Sequence, residues 1–301
     1  MANRGETLSR IAQRASEVGV EVWFHAADLD SPQWIGHGSD EPVVMASVLK
    51  VPVAITLAHL AASKTIDLSE HLRVAPRGSA PSSFGLATFQ HDVTISLHDL
   101  AVLMTGISDN LAADIIIERV GKDRIAENLN RLGCEVTAVP QTCQEVLDTI
   151  SEDLRLLAEE DGWPPSLPRL RALRALQPAQ TCRTTPREMT QLLRKIWLDE
   201  ASDPQACGMV RRWMELQVWP HRLRSGFPDD SVRTAGKTGT LPAVRNEVGV
   251  IRYADGGRYA VSVFTEASDA RAIVPERDSF IGYVAAQAVD WLRSPPSGGA
   301  L

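Results

Sequence analysis

The placement of helical and strand-like periodicity constrains this chain more than any single motif. Val20 to Ala26 and Gln33 to Ile35 alternate as short strands around an Asp28–Pro32 turn. Three more β-rich runs, Ser231–Thr240, Asn246–Ala254 and Arg258–Thr265, lie far along the chain, with the hairpin turn Asp255-Gly256-Gly257 between the last two. Between these groups, from Ser47 to about Trp197, apolar residues recur at helical spacing. Strands so far apart can share one antiparallel sheet only if the helical block is an insertion. Leu8, Ile11 and Ala15 predict a helix over 6–18, and Phe280, Val284, Ala288 and Trp291 predict one from about Glu276 to Leu292. The expected fold class is therefore α/β (α+β): a five-stranded antiparallel sheet flanked by terminal helices, with an inserted all-α lobe. The expected boundaries are 1–45 plus 200–294 for the sheet lobe, 46–199 for the helical lobe, and 295–301 for a disordered Pro/Gly/Ser-rich tail. A crevice between the lobes is the natural place for a site.

Within the block, Val48–Ala62 is largely apolar and reads as a buried helix. Leu97–Thr105, Asn110–Val120 and Lys122–Leu132 follow, with Gly121 and Gly133 where helix stops belong. At 301 residues with 44% hydrophobic and 23% charged residues, the chain can bury a sizeable core. A formal charge of −7 argues against a nucleic-acid or anionic-membrane partner. No apolar run reaches membrane-spanning length, and the first sixteen residues lack the apolar stretch of a signal peptide. The expected compartment is the cytoplasm, or the periplasm or exterior if a leader has been trimmed away. Cys134, Cys143, Cys182 and Cys207 have no metal-ligand spacing, nor do the histidines, so reduced structural thiols, no metal and no cofactor are expected.

Three short motifs carry chemistry. In Ser47-Val48-Leu49-Lys50, residues three apart on a helix share a face, so an amine kept neutral by burial and a nearby cation could take the Ser47 proton. In Ser108-Asp109-Asn110, the hydroxyl could relay a proton while the Asn110 amide holds a carbonyl or Lys50; the alternative is an ordinary helix N-cap. In Lys237-Thr238-Gly239-Thr240, a strand edge offers a cation and a hydroxyl to a substrate carboxylate. Gly239 lets a ligand approach the backbone, and the Thr240 N–H could complete an oxyanion hole with the Ser47 N–H. The alternative is an exposed hairpin end.

Taken together and in this order, the three motifs resemble the signature set of the class A β-lactamases and penicillin-binding proteins, a serine hydrolase superfamily. The resemblance covers nearly the whole chain: Ser47 and Ser108 are 61 positions apart, Thr184-Thr185-Pro186 matches the segment after the family's Ω-loop, and Lys237 follows Pro186 by 51. It implies a β-lactamase-like fold and an acyl-enzyme formed at Ser47 on a lactam, amide or ester carbonyl. Lys50 would be the base, and Ser108, Asn110 and Lys237 would complete the machinery. It also implies a small carboxylate-bearing substrate, held by Thr238, Gly239, Thr240 and Arg222 beside a Phe84 wall. A monomer is expected.

One departure bears on turnover. The family places a Glu, followed four residues later by Asn, in its Ω-loop to activate the deacylating water. Here Val136 to Arg183 is about two dozen residues longer than in the family, and alignment from Val136-Thr137 brings Cys143 near where that Glu should be. Glu145 and Glu152 are the candidates for the deacylation base, although neither has the Asn at the expected step. Weak β-lactam hydrolysis is the expectation. The alternatives are an intracellular esterase or amidase on the same scaffold, or a penicillin-binding protein that acylates without efficient turnover. The long stretch shows two leucine stripes (Ile150, Leu154, Leu157 and Leu167, Leu170, Leu173) around Pro164, Pro165 and Pro168, and carries Arg169, Arg171 and Arg174. It reads equally as a lid over the crevice or as two packed helices with a solvated basic face.

Overall fold

A computed structural model describes residues 3–75, 84–161, 166–269, 271 and 273–294. The expected disordered tail and the Pro164-Pro165 pair lie outside these residues. Helix α1 (Arg4–Val18) leads into β1 (Val20–Asp28), β2 (Trp34–His37) and the two-residue β3 (Val43–Val44). The helical block holds α2 (Lys50–Ala62), a ribbon of β4 (His71–Val74) and β5 (Val93–Ser96), then α3 (Leu97–Gly106), α4 (Asn110–Val120) and α5 (Lys122–Arg131). The long stretch contributes α6 (Cys143–Asp161), α7 (Leu167–Arg171) and β6 (Arg183–Thr184), followed by α8 (Pro186–Trp197) and α9 (Pro204–Glu215). Strands β7 (Arg233–Leu241), β8 (Val244–Arg252) and β9 (Arg258–Ala267) and helix α10 (Pro275–Arg293) complete the chain.

The five long strands form one antiparallel sheet in the order β2-β1-β9-β8-β7. Strand β1 pairs with β9 from Val20↔Ala267 to Asp28↔Tyr259, so the early and late β-rich segments do join in one sheet. One face packs on α1 and α10 through Phe24, Ala26, Val261 and Val263 against Ile11, Phe280, Val284 and Ala288. The other face presents Ala235, Val248, Val250, Ala260 and Phe264 to the helical core. With both faces covered, β8 and β9 are buried almost throughout and need no polar alternation.

Every residue of α2 from Lys50 to Ala58 is buried. A helix apolar all round belongs inside, and Pro52 is tolerated because its missing N–H falls in the first turn. Two features depart from the all-helical expectation. Short ribbons, β3 with β6 and β4 with β5, lie in or beside the block; strands of two to four residues are too brief to show a period-two pattern. The segment before α2 is a 3-10 turn, Ala46–Leu49, rather than α-helix.

The long stretch is tied down at its neck. Glu188, in the first turn of α8, accepts the backbone N–H groups of Glu135, Val136 and Thr137 at 2.7–2.8 Å, and Ala138 bridges Arg183. Its leucines then pack sideways: Leu173 and Leu176 bury against Val244, flanked by Leu154, Leu157, Leu170 and Leu241. The stretch thus braces the β7–β8 hairpin. Its arginines are paired: Arg174 with Glu152 and Asp153, and Arg171 with Glu266.

Candidate active site

The 3-10 turn puts Ser47 and Lys50 on the same face, because at three residues per turn positions i and i+3 eclipse. It starts from Ala46, whose φ of 49° is unusual for a residue with a Cβ. The turn is held in place by the sheet: the Asn246 amide donates to Val44 O (2.8 Å) and Met45 O (3.3 Å). Gly239 allows the close approach, since a Cβ there would stand 2.6 Å from Met45 O.

Lys50 is fully buried, and its amine lies 2.7 Å from Ser108 O, 3.1 Å from Ser108 Oγ and 2.7 Å from Asn110 Oδ1. Lys237, also fully buried, donates to Ser108 Oγ at 2.9 Å and to Thr238 O at 2.9 Å. The Ser108 hydroxyl therefore bridges two amines, and its residue holds a left-handed φ of 65° to do so. Burial disfavours both ammonium forms, and the two cations repel. The Lys50 pKa is pushed down, mainly by burial, against the pull of Asp109 and Asp114. Lys237 is pushed well down by burial and by Lys50, with Glu247 opposing.

Both readings of Ser108-Asp109-Asn110 apply, to different residues. Asp109 is the N-cap of α4, accepting from Ala112 N at 3.1 Å, and its other oxygen accepts Leu86 N at 2.7 Å. Ser108 and Asn110 face the lysines. On β7, antiparallel alternation turns the N–H groups of Thr238 and Thr240 to the same side, the free edge, because Thr238 N–H donates outward to Gln217 Oε1 at 2.7 Å.

Ser47 opens on a cavity of about 50 Å³ lined also by Asn110, Cys143, Val146, Leu147, Thr181, Cys182, Thr240 and Leu241. That is room for one or two waters. Among the described residues no carboxylate lines it. Cys143 occupies the wall; burial pushes its thiol pKa up to about 12, so it stays protonated and cannot act as a base near neutral pH. Its backbone N–H and that of Gln144 cap onto Asp114 at 2.6 and 2.9 Å.

Glu145 and Glu152 lie away from the cavity beside Ser47. Residues seven apart share a helix face, and on α6 that face points outward while Cys143, Val146 and Ile150 point in. Glu145 pairs with Lys122 at 2.6 Å and accepts Thr142 N at 2.7 Å as a helix cap. Glu152 pairs with Arg174 at 2.5 Å. Arg222 also differs from expectation. Its guanidinium, 4% exposed, is spent inside the protein: it donates to Asp278 (2.7 Å), Gly239 O (2.9 Å), Asn246 O (3.0 Å) and Thr240 Oγ1 (2.8 Å). Phe84 is 39% exposed and leans on Trp219, with ring centroids 5.6 Å apart, off the cavity lining. Sequence reasoning passed over Gln217, Glu247, Asp114 and Asn246, which hold the site together; none sits in a recognisable motif.

All four cysteines are free and buried. No cluster able to hold a metal occurs among the described residues, and no described helix is long and apolar enough to cross a membrane.

A lysine-serine-lysine cluster, Lys50, Ser108 and Lys237, lies at the meeting of an antiparallel sheet and an inserted helical block, and the chain belongs to the Beta-lactamase enzyme family, a serine hydrolase family whose profile matches residues 5–292. It is 27% identical over 97% of its length, and 99% of the relative's, to the "Beta-lactamase regulatory protein BlaB" of Streptomyces cacaoi. It is 25% identical to a β-lactamase of Rhodobacter capsulatus, over 88% of this chain and 80% of that one. A β-lactamase structure from Sphaerobacter thermophilus shares the fold, with a TM-score of 0.76 at 22% identity over 98% of this chain and all of that one.

Proposed function

We propose that the protein forms an acyl-enzyme at Ser47 with a small carboxylate-bearing β-lactam and releases it slowly, acting as a penicillin-binding rather than a penicillin-clearing member of its family. In the forward step Lys50 takes the Ser47 proton, Ser47 Oγ bonds to the lactam carbonyl carbon, and the ring C–N bond breaks. The nitrogen receives its proton through Ser108. The Ser47 and Thr240 N–H groups carry the developing oxyanion. The substrate carboxylate is met by the exposed Thr240 hydroxyl, behind which Arg222 supplies charge, while Lys237 works on Ser108.

The observation that carries the slow second step is the lining of the cavity beside Ser47, where Cys143 stands and, among the described residues, no carboxylate does. Deacylation needs a base within hydrogen-bond reach of a water, and losing it typically costs about 10²–10⁴-fold. A role in sensing β-lactams is favoured by the full-length similarity to a protein named as regulatory, since a lasting adduct suits a sensor. Intact mass spectrometry after a pulse of benzylpenicillin tests the reading. A stoichiometric adduct that persists and is absent in Ser47→Ala is expected. An adduct that disappears within seconds, or one that forms on Ser47→Ala, would refute it.

A further inference from the structure

Strand β7 is the edge of the sheet, so its outward N–H groups have no neighbouring strand to meet. Thr240 N–H is left facing the crevice. Thr238 N–H instead donates to Gln217 Oε1 at 2.7 Å. Gln217 is held the right way round by Glu247: Gln217 Nε2 donates to Glu247 Oε1 at 2.5 Å, and the other carboxylate oxygen accepts Leu223 N at 2.6 Å. An ionised carboxylate only accepts, so it fixes the amide with its oxygen toward Thr238. Glu247 lies opposite Thr238 in register and is 2% exposed. Gly236 makes the space, since a Cβ there would lie 2.7 Å from Glu247 Oε1 and 3.0 Å from Gln217 Nε2.

We infer that Glu247, acting through Gln217, is a positioning residue that fixes the substrate edge of β7 and makes acylation depend on the ionisation of its carboxylate. The inference rests on the acyl-enzyme reading above. Both Glu247 oxygens face an N–H donor, and a proton placed on Oε1 toward Gln217 sets hydrogen against hydrogen. The Gln217 amide must then turn or let go, and Thr238 N–H loses its acceptor. The charged groups facing Glu247 are Lys237 on β7 and Arg222 ahead of the 223–226 turn, with Lys50 behind Lys237. Burial outweighs both neighbours and pushes the Glu247 carboxyl up to about 7, so the switch falls near neutrality. Ionised Glu247 is also the counter-charge that opposes the downward push on the Lys237 ammonium.

Two measurements test this. The first is infrared difference spectroscopy of the full chain against Glu247→Gln, with the Thr238 amide shift followed by NMR. A protonated-carboxyl band with a midpoint near pH 7, absent in the variant and tracked by the Thr238 amide, is expected. No such titration would overturn the proposal. The second is the benzylpenicillin acylation rate from pH 5.5 to 9. The wild-type rate should fall roughly tenfold below the same midpoint, the loss expected for one hydrogen bond and its partner. Glu247→Gln and the less buried Gln217→Ala should both lack that limb while keeping the one due to Lys50, and Gln217→Ala should keep the infrared titration. A limb near pH 7 that survives in both variants would overturn the positioning role. Absence of any acylation in the wild type would refute the acyl-enzyme reading instead, leaving the spectroscopic arm to decide on the switch.

Discussion

Arg222 offers the sharpest test of how the substrate edge is built. Replacing it with Leu removes a guanidinium that is 4% exposed and satisfies two backbone carbonyls, Gly239 O and Asn246 O, together with Thr240 Oγ1 and the Asp278 carboxylate. Both carbonyls keep a ladder donor in the Gly239↔Asn246 pair, so each loses only its charge-assisted hydrogen bond, worth about 1.5–3 kcal/mol. Breaking a buried charge pair on one side costs about 3–5 kcal/mol. These overlap, because the 21% exposed Asp278 side chain can recover some water and Arg245 Nε stands 4.0 Å away, so about 3–5 kcal/mol in total is the expected loss. For a domain of this size that lowers Tm by on the order of 10 °C. Arg222→Lys should recover the charge but not the fork, and fall between. The assay is thermal denaturation followed by circular dichroism, with acylation rates for a carboxylate-bearing β-lactam and a neutral ester measured well below the transition. Both substrates should be slowed, because Thr240 and the β7–β8 ladder lose their support. If Arg222→Leu melts within 2 °C of wild type, and only the carboxylate substrate suffers, the guanidinium meets substrate directly and the internal role argued here is wrong.

Two further outcomes follow from the same geometry. Cys143→Glu puts a carboxylate in the wall beside Ser47 and should speed decay of the penicillin adduct by about 10²-fold or more, whereas Glu145→Gln and Glu152→Gln should leave that decay unchanged; a slowing in either glutamine variant, read by intact mass, would place the base on the outer face of α6 after all. His25 is buried against Thr190 at 2.6 Å, and burial with the Arg187 charge holds its pKa down to about 4. The folded state therefore binds its proton less readily than the unfolded state does. Stability present above about pH 6.5 should be lost as pH falls toward 4, by about 3 kcal/mol from this group, and urea denaturation of His25→Gln should show a weaker acid dependence over that window.

The long elements were legible because periodicity and punctuation agreed. Asn110–Val120 is bounded by an Asp cap and by Gly121 at a φ of 91°, and it folds over the span read from sequence. The β-lactamase-type sheet followed from where strand-like runs fell, since only one arrangement lets segments so far apart pair. Alignment likewise brought Cys143 to the position it holds in the cavity wall. What could not be read was side-chain direction wherever no cap fixed the register. Glu145 and Glu152 lie in a segment whose helix start depends on Asp114, 29 positions upstream of Cys143. Arg222 is assigned a substrate role from its match to the family's arginine beside the Lys-Thr-Gly strand, and nothing in the sequence marks the carbonyls that its guanidinium also meets. Gln217 and Glu247 are invisible for the same reason: their meaning lies in a pairing across β7 and β8.

The adjacency of β1 and β9 has a consequence for biogenesis. The strand that begins at Val20 finds its long partner only in Arg258–Ala267, so the sheet cannot close during synthesis until almost the whole chain has left the ribosome. Lys237 and Thr240 belong to that late-arriving half, while Ser47 and Lys50 emerge early. On the proposed acyl-enzyme chemistry, a nascent or truncated chain carries Ser47 without its cradle and should be inert to penicillin. Covalent labelling of this protein would then report completed folding, and a pulse-labelled lysate would distinguish finished molecules from those still being made.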